Sequence, residues 1–220
     1  MGNLAVCVLA GGEGLRMGGA KPQRLFAGMR LVDRALAYAW SVSDDVAVAV
    51  RSADQVGDAG RASLVFDAPG IPGPLAGLSA GLAFARIRGA RRLLCVPCDM
   101  PLLPLDLAER LSAALGSRQD AAAAAPVCAG ELHPACALWK VEALDCIGDY
   151  VETGCASLRG FARRVGLVEA SFDAAAMTAF ANVNTPGELE RLEGLISTPT
   201  RSGVGGGQAA ASSLSGGGVR

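Results

Sequence analysis

Short runs of apolar residues alternate with helix-like stretches along the first half of this chain. The runs are rich in Val and Leu, a composition typical of strands that are covered on both faces. They lie at 4–9, 45–50, 62–66 and 91–96. Apolar residues recur every three or four positions, as in helices, at 31–40, 75–86 and 105–115. This alternation predicts an α/β fold in a single domain, with a mostly parallel, Rossmann-like sheet and helices on both faces.

The second half of the chain is less regular. Strands are predicted at 121–127, 135–139 and 167–172, and helices near 141–150 and 157–165. A last helix is expected after Thr185, which can act as N-cap with Pro186 at the first position and Glu188 three residues after the cap; it ends near Leu195. Beyond it the chain is mostly Gly, Ser and Ala, with little to bury. We therefore predict one folded domain over residues 1–197 and a flexible tail over 198–220.

Charge and hydropathy exclude several classes of function. The 220 residues include 20 basic and 21 acidic side chains, so no excess positive charge is available to hold a nucleic acid or an anionic membrane. The start of the chain has no charged region before its apolar stretch, and no apolar run reaches the roughly 18 residues of a membrane span. We expect a cytoplasmic protein with a small-molecule substrate.

The seven cysteines predict buried thiols more readily than disulfides or a metal site. Their number is odd and no export signal precedes them. Cys95 and Cys98 have C-x-x-C spacing, but no second pair follows at zinc-ribbon distance and His133 is the sole histidine of the sequence.

A glycine-rich loop, "VLAGGEGLRMGGAKP" at 8–22, follows the first predicted strand directly. A dinucleotide fingerprint G-x-G-x-x-G read from Gly12 fails at Met17, and a Walker loop read from Gly14 has its lysine one place late. The ingredients of phosphate binding remain: backbone N–H groups freed by glycine, Arg16 as a bidentate donor and Lys21 as a point charge. A solvated turn is the alternative interpretation.

Five strings in this order carry a family resemblance over about residues 4–195. The loop L-A-G-G-x-x-x-R-M-G-x-x-K resembles the signature of nucleotidyltransferases that activate sugars, terpenoid precursors and molybdopterin. The further strings are "GPLAGL" at 73–78, "CDMPLLP" at 98–104, "HPACALW" at 133–139 and "ANVNTPGEL" at 181–189. Together they resemble the molybdenum cofactor guanylyltransferase family, the MobA type, whose fold is that of the nucleotide-diphospho-sugar transferases. The resemblance makes 1–197 a nucleotidyltransferase domain.

This resemblance implies transfer of GMP from GTP to the terminal phosphate of molybdopterin, with release of pyrophosphate. It places Lys21 against the α-phosphate, assigns the departing phosphates to Arg16, and gives backbone contacts with the nucleotide to Leu9, Ala10, Gly11 and Gly12. A side chain at either glycine is expected to intrude on the nucleotide. The attacking phosphate has a second pKa of about 6 and is already ionised near neutral pH. No general base is required, so His133 is interpreted as a structural or substrate-orienting residue.

The carboxylates and amides complete the implied site. Asp99 follows a predicted strand and is the expected ligand of Mg²⁺, or of Mn²⁺ in its place, because one or two carboxylates plus substrate phosphates usually hold this ion. Asp67 also ends a strand and is implied to contact the nucleotide. Asn182 and Asn184 are implied to bind the acceptor. For each of these four residues a structural turn is the alternative, and an N-cap is a further one for Asp99.

Two positions depart from the family pattern and two other functions stay open. Ala20 stands where Asp often precedes the loop lysine, and Ala49 stands where Asn often ends the second strand, so the residues that select guanine are not identified.

One alternative is a cytidylyltransferase acting on molybdopterin or another phosphorylated small molecule, although such relatives usually read "LAAG". The other is a catalytically silent nucleotide-binding or scaffold protein. Transient contacts with other proteins of molybdenum cofactor biosynthesis are also expected from the resemblance.

Overall fold

A central sheet organises the molecule. The computed structural model describes residues 4–12 and 21–197, and across these residues eight strands form one sheet. Its strands, named here by their order along the chain, are β1 (Leu4–Leu9), β4 (Val46–Val50), β5 (Ser63–Phe66), β6 (Arg92–Pro97), β7 (Ala123–Cys128), β8 (Glu131–Leu132), β9 (Leu138–Lys140) and β10 (Leu167–Phe172). The intervening β2 (Leu25–Phe26) and β3 (Met29–Arg30) pair as a separate hairpin.

The sheet order is β10-β7-β9-β6-β1-β4-β5, with β8 added beside β7. The pairs β6–β1, β1–β4, β4–β5 and β10–β7 are parallel. The short β9 runs antiparallel to both β6 and β7, and β8 runs antiparallel to β7. The predicted α/β class with a mostly parallel sheet is therefore confirmed.

Helices cover both faces of this sheet. They are α1 (Leu31–Val42), α2 (Pro74–Ile87), α3 (Leu107–Gly116), α4 (Ile147–Glu152), α5 (Leu158–Arg164) and α6 (Pro186–Ser197). Alternate residues of β4 point to opposite faces, so Val48 packs with α1 and α3 in one core and Ala47 packs with α2 in the other. This strand is buried along its whole length, which explains its uninterrupted Val and Ala sequence.

The start of α6 is built as its sequence predicts. The Glu188 backbone N–H donates to Thr185 Oγ1 at 3.2 Å, and the Thr185 N–H donates to Glu188 Oε2 at 3.0 Å, which is the reciprocal pattern of a capping box. A small third core of Phe26, Leu31, Val183 and Leu192 joins the hairpin to α6. This packing fixes the 181–185 segment beside the end of β6.

Several local predictions from the sequence were wrong. The expected strand at 135–139 begins only at Leu138, because Pro134–Cys136 forms a 3₁₀ turn after a proline that cannot donate to a ladder. The expected helix at 141–150 starts as a 3₁₀ turn, Val141–Cys146, and becomes α-helical at Ile147. The hairpin β2–β3, strand β8 and the 3₁₀ segment Ala174–Phe180 were not anticipated, because two-residue strands and 3₁₀ turns leave no clear periodicity.

The cysteine prediction holds for five of the seven residues. All seven are free thiols, but Cys146 and Cys155 are exposed, which corrects the expectation of a fully buried set.

None of the helices in the described ranges is long and apolar enough to cross a membrane. The predicted tail over 198–220 lies outside the described residues.

Helix α2 packs so closely on the sheet that one glycine has no room for a methyl group. A Cβ at Gly81 would lie 2.9 Å from Cys7 Cβ and 3.0 Å from Leu93 Cδ2. We expect Gly81→Ala to destabilise the protein, since overpacking costs about 1–3 kcal/mol and outweighs the gain of about 1 kcal/mol in helix propensity. Gly148→Ala in α4 is the matched control, because its Cβ would meet nothing within 4 Å. Thermal melts should show a lower Tm for Gly81→Ala only. An equal rise in Tm for both variants would show that α2 can shift.

Candidate active site

The parallel strands β1, β4, β5 and β6 end at the same edge of the sheet, and a cavity of about 910 Å³ opens there. Backbone at this edge is free to meet a ligand because the strands stop and their loops diverge. The cavity is lined by the loop after β1, Asp67 after β5, Asp99 after β6, and the segments 131–135 and 156–159. The site residues predicted within the described ranges therefore meet at one cavity or in direct contact with its lining.

Lys21 lies at the centre of this site between two oxygen atoms. Its Nζ donates to Asp99 Oδ2 at 2.7 Å and to Asn184 Oδ1 at 2.8 Å. The side chain of Lys21 is 11% exposed and that of Asp99 is 24% exposed, so this ion pair is screened less than a surface pair. Asn184, expected on the acceptor side, contacts the lysine directly.

Backbone hydrogen bonds hold the carboxylate end of this ion pair. Residue 98 donates its N–H to the Leu9 carbonyl at 3.2 Å, and Val183 N–H donates to the Asp99 carbonyl at 2.9 Å. Three chain segments distant in sequence thus meet around one carboxylate: the end of β1, the end of β6 and the segment before α6. Sequence reasoning placed the residues in loops but could not place them in contact.

The neighbouring Asp67 carboxylate leaves no room for a side chain at Gly11. A Cβ at this position would lie 2.7 Å from Asp67 Oδ2, whereas a Cβ at Gly12 would meet nothing within 4 Å. Of these two loop glycines, only Gly11 is denied a side chain by the described protein atoms themselves. The Ala10 N–H donates to the Ala49 carbonyl at 3.0 Å, which fixes the first turn of the loop against β4. Arg16, predicted to contact phosphates, lies outside the described residues.

Asp67 carries a buried oxygen without a hydrogen-bond partner. Oδ1 is inaccessible to solvent and accepts no hydrogen bond within the described part of the chain, and Oδ2 lies 3.9 Å from Arg51 Nε. Burial raises the pKa of the Asp67 carboxyl, and the charge of Arg51 offsets part of this rise. A buried acceptor without a partner is rare in folded proteins, and it marks Asp67 as a candidate functional residue.

His133 and Arg159 form the opposite side of the cavity. His133 is 8% exposed and stacks on Phe180 with ring centroids 4.9 Å apart. Burial lowers the pKa of the imidazole, which Glu131 opposes and Arg159 reinforces. Arg159 Nη2 donates to the Leu132 carbonyl at 3.2 Å. Sequence reasoning missed Arg159, because an arginine in a short helix next to Arg163 and Arg164 reads as solvated surface.

Comparisons with known proteins identify the family. A model of the MobA-like NTP transferase domain matches residues 6–168. The chain belongs to this family. A molybdenum cofactor guanylyltransferase of Cereibacter sphaeroides is 36% identical over 189 residues, covering 86% of this chain and 95% of that protein. A protein with the same name from Rhodobacter capsulatus is 39% identical over 199 residues, covering 86% and 95%.

The fold agrees with this membership. The crystal structure of molybdopterin-guanine dinucleotide biosynthesis protein A from Archaeoglobus fulgidus aligns with a TM-score of 0.69 at 22% identity, over 88% of this chain and 98% of that one. The predicted fold type and the predicted enzyme class are confirmed: the protein is a nucleotidyltransferase of the MobA-like family. Ala49 contributes a methyl group to the cavity wall, while Arg51 supplies a charged group beside Asp67.

The buried Asp67 predicts a gain in stability on neutralisation. Because its folded-state pKa is raised, the ionised carboxylate destabilises the fold at pH values above its unfolded value of about 3.9. Asp67→Asn should therefore raise Tm at pH 7, by roughly 2–4 °C for each kcal/mol relieved, and the gain should shrink as pH falls toward 4. The control is Asp120→Asn. Arg118 lowers the pKa of Asp120 to about 2, so removing this carboxylate should lower Tm at pH 7 and not raise it. A lower Tm for Asp67→Asn at pH 7 would contradict the destabilising role assigned to this carboxylate.

Proposed function

We propose that the protein transfers GMP from GTP to the terminal phosphate of molybdopterin, forming molybdopterin guanine dinucleotide and pyrophosphate. The observation that carries the proposal is the position of Lys21 and Asp99 midway along one cavity, with Asp67 on one side and His133 on the other. Its relatives with 36–39% identity bear the name molybdenum cofactor guanylyltransferase, which supports guanine as the base and molybdopterin as the acceptor.

The strand order supports an arrangement of base, reacting phosphate and acceptor in a row. Three strand spacings separate β5 from β6, or about 14 Å at 4.8 Å each, and two spacings or about 10 Å separate β6 from β7. In our proposal the guanine lies beside Asp67 at the β5 end, and the triphosphate passes the Leu9–Gly12 backbone to reach Lys21. The acceptor then approaches from the β7 side, near Asn182 and His133.

The reaction needs charge stabilisation more than proton transfer. An oxygen of the ionised acceptor phosphate attacks the α-phosphorus; a new P–O bond forms, and the bond to the oxygen shared with the β-phosphate breaks as pyrophosphate leaves. Lys21, prepositioned by Asp99 and Asn184, stabilises the negative charge that grows on the α-phosphate. Arg16 is proposed to hold the β- and γ-phosphates through its bidentate guanidinium.

The residues present fit a divalent cation of the Mg²⁺ type. Asp99 uses Oδ2 for Lys21, while its Oδ1 accepts no hydrogen bond from a described residue and is left for a ligand. No group of three or more Cys, His, Asp or Glu that could hold a metal occurs in the described ranges, which matches an ion held by one carboxylate plus substrate phosphates. When bound at Asp99, Mg²⁺ would neutralise phosphate charge and polarise the α-phosphate.

The direct test is a transfer assay with GTP, molybdopterin and Mg²⁺, in which pyrophosphate release and the dinucleotide product are measured together. ATP, CTP and UTP serve as alternative donors. Product formation with GTP far above the other donors is expected. Preference for CTP would replace the proposal by a cytidylyltransferase, and nucleotide binding without product would identify a silent binding protein.

Lys21→Ala should lower turnover much more than GTP affinity. A point charge at the α-phosphate matters most where negative charge develops, and losing one such preorganised donor typically lowers kcat by about 100- to 1,000-fold. Lys140→Ala is the control, because Lys140 is the other lysine of the chain and lies at the start of the β6–β9 pairing, away from the cavity. Weaker GTP binding with unchanged turnover would make Lys21 a binding residue only.

Asp99→Asn should nearly abolish transfer while the fold stays intact, because the change keeps the size of the side chain and removes its charge. Two like charges at 4 Å repel by about 4 kcal/mol at an effective dielectric of 20, and the approaching phosphates would then face that repulsion. Initial rates against Mg²⁺ concentration should shift to higher concentrations for any residual activity. Curves that superimpose on the wild type would remove Asp99 from the metal site. The control is Asp149→Asn, at an exposed position of α4.

A further inference from the structure

We propose that Glu188 is a positioning residue of the active site, which aims the Asn184 side chain at Lys21 and thereby holds the lysine amine in place. The inference rests on the function proposed above, in which Lys21 stabilises charge on the α-phosphate. The sequence predicts Glu188 only as part of a helix cap, and the residue does not line the cavity. Its further role follows from a hydrogen bond that a capping box by itself does not require.

One oxygen of Glu188 accepts two backbone N–H groups. Oε2 lies 3.0 Å from the Thr185 nitrogen and 2.7 Å from the Asn184 nitrogen. The first contact belongs to the capping box, in which the carboxylate returns to the N–H of the N-cap residue. The second and shorter contact reaches one residue further back along the chain, outside the helix. Glu188 therefore binds the backbone of the residue whose side chain contacts the lysine.

The backbone of Asn184 is fixed on both sides of its Cα. The N–H groups that Glu188 accepts belong to the two peptide units that flank this Cα. The preceding residue, Val183, is fully buried in the third core, and its N–H donates to the Asp99 carbonyl at 2.9 Å. Three consecutive N–H groups are thus bound, two of them by Glu188. Together they set the φ and ψ angles of Asn184 and so the direction of its side chain.

The direction of the Asn184 side chain determines where the lysine amine can lie. Asn184 Oδ1 accepts from Lys21 Nζ at 2.8 Å, and Asp99 Oδ2 accepts from the same atom at 2.7 Å. A lysine carries its amine on a flexible four-carbon stem, so a single acceptor leaves the amine free to swing about it. The amide is a neutral acceptor, which orients the amine without neutralising the charge needed at the α-phosphate.

Charge strengthens the contacts that Glu188 makes. Its hydrogen bonds, that from the Asn184 N–H above all, lower the pKa of the Glu188 carboxyl, so this group is ionised near neutral pH. An ionised acceptor binds N–H groups more strongly than a neutral one. The carboxylate also lies in the first turn of α6, where a negative charge stabilises a helix. Glu188 therefore has a helix-stabilising role and a positioning role, which an experiment has to separate.

The first test measures the reactivity of the Lys21 amine in the absence of substrates. The sequence contains two lysines, so brief acylation with acetic anhydride and peptide mass spectrometry give the labelling of Lys21 relative to Lys140 in one molecule. We expect Glu188→Ala to raise this ratio by about 2- to 10-fold, the factor that corresponds to one lost hydrogen bond. Glu188→Gln should stay near the wild-type ratio, because its amide oxygen can accept both N–H groups.

Thr185→Ala is the matched control for the helix-stabilising role. Its hydroxyl accepts the Glu188 N–H at 3.2 Å and forms the other half of the capping box. Removing it weakens the start of α6 and leaves the contact between Glu188 and Asn184 in place. Both Glu188→Ala and Thr185→Ala should lower Tm, and only Glu188→Ala should raise the labelling ratio. An equal rise in Thr185→Ala, or no rise in Glu188→Ala, overturns the inference.

The second test uses the transfer assay. Glu188→Ala should lower kcat by about 10-fold with KM for GTP unchanged, because a misplaced catalytic group loses transition-state stabilisation first. In an Asn184→Ala background the same substitution should lower kcat no further, since both residues act through one contact. Additive losses, or an unchanged kcat in Glu188→Ala, refute this inference alone. Absence of transfer by the wild type, with a labelling ratio that depends on Glu188 as expected, refutes the proposed function instead.

Discussion

The ion pair between Lys21 and Asp99 is the interaction around which the site is built. Its charges are partly withdrawn from water, so they need the additional oxygen of Asn184 and a fixed backbone on both sides. That backbone comes from the end of β1, the end of β6 and the segment that precedes α6. The parallel sheet provides this meeting point, since only parallel neighbours end at the same edge.

Polar groups in the cavity are left incompletely satisfied by the protein. Asp67 keeps a buried oxygen without a partner, His133 keeps ring nitrogens without one among the described residues, and Arg159 spends a single donor on a carbonyl. A buried acceptor without a partner, as at Asp67 Oδ1, costs stability in the free protein. The two large cores on either side of the sheet consist mostly of apolar side chains.

The polar groups of the site also distinguish a transferase from a scaffold protein. A scaffold protein has no need of a partly buried lysine held between a carboxylate and an amide, whereas transfer to a phosphorus atom does. Ala49 offers no polar group to the cavity on the side of Asp67. The nucleotide panel decides which base the cavity accepts.

The sequence by itself determined the α/β class, the long strands and helices, the capping box at Thr185 and the strand-end position of Asp67 and Asp99. These features are local: apolar periodicity, a capping pair three residues apart and a charged residue after an apolar run are all readable within a short window. Only the tertiary structure decided that Asn184 contacts Lys21, that Asp67 excludes a side chain at Gly11, and that Arg159 faces the cavity. Those contacts join residues far apart in the chain, and they depend on strand order and loop path, which no local pattern encodes.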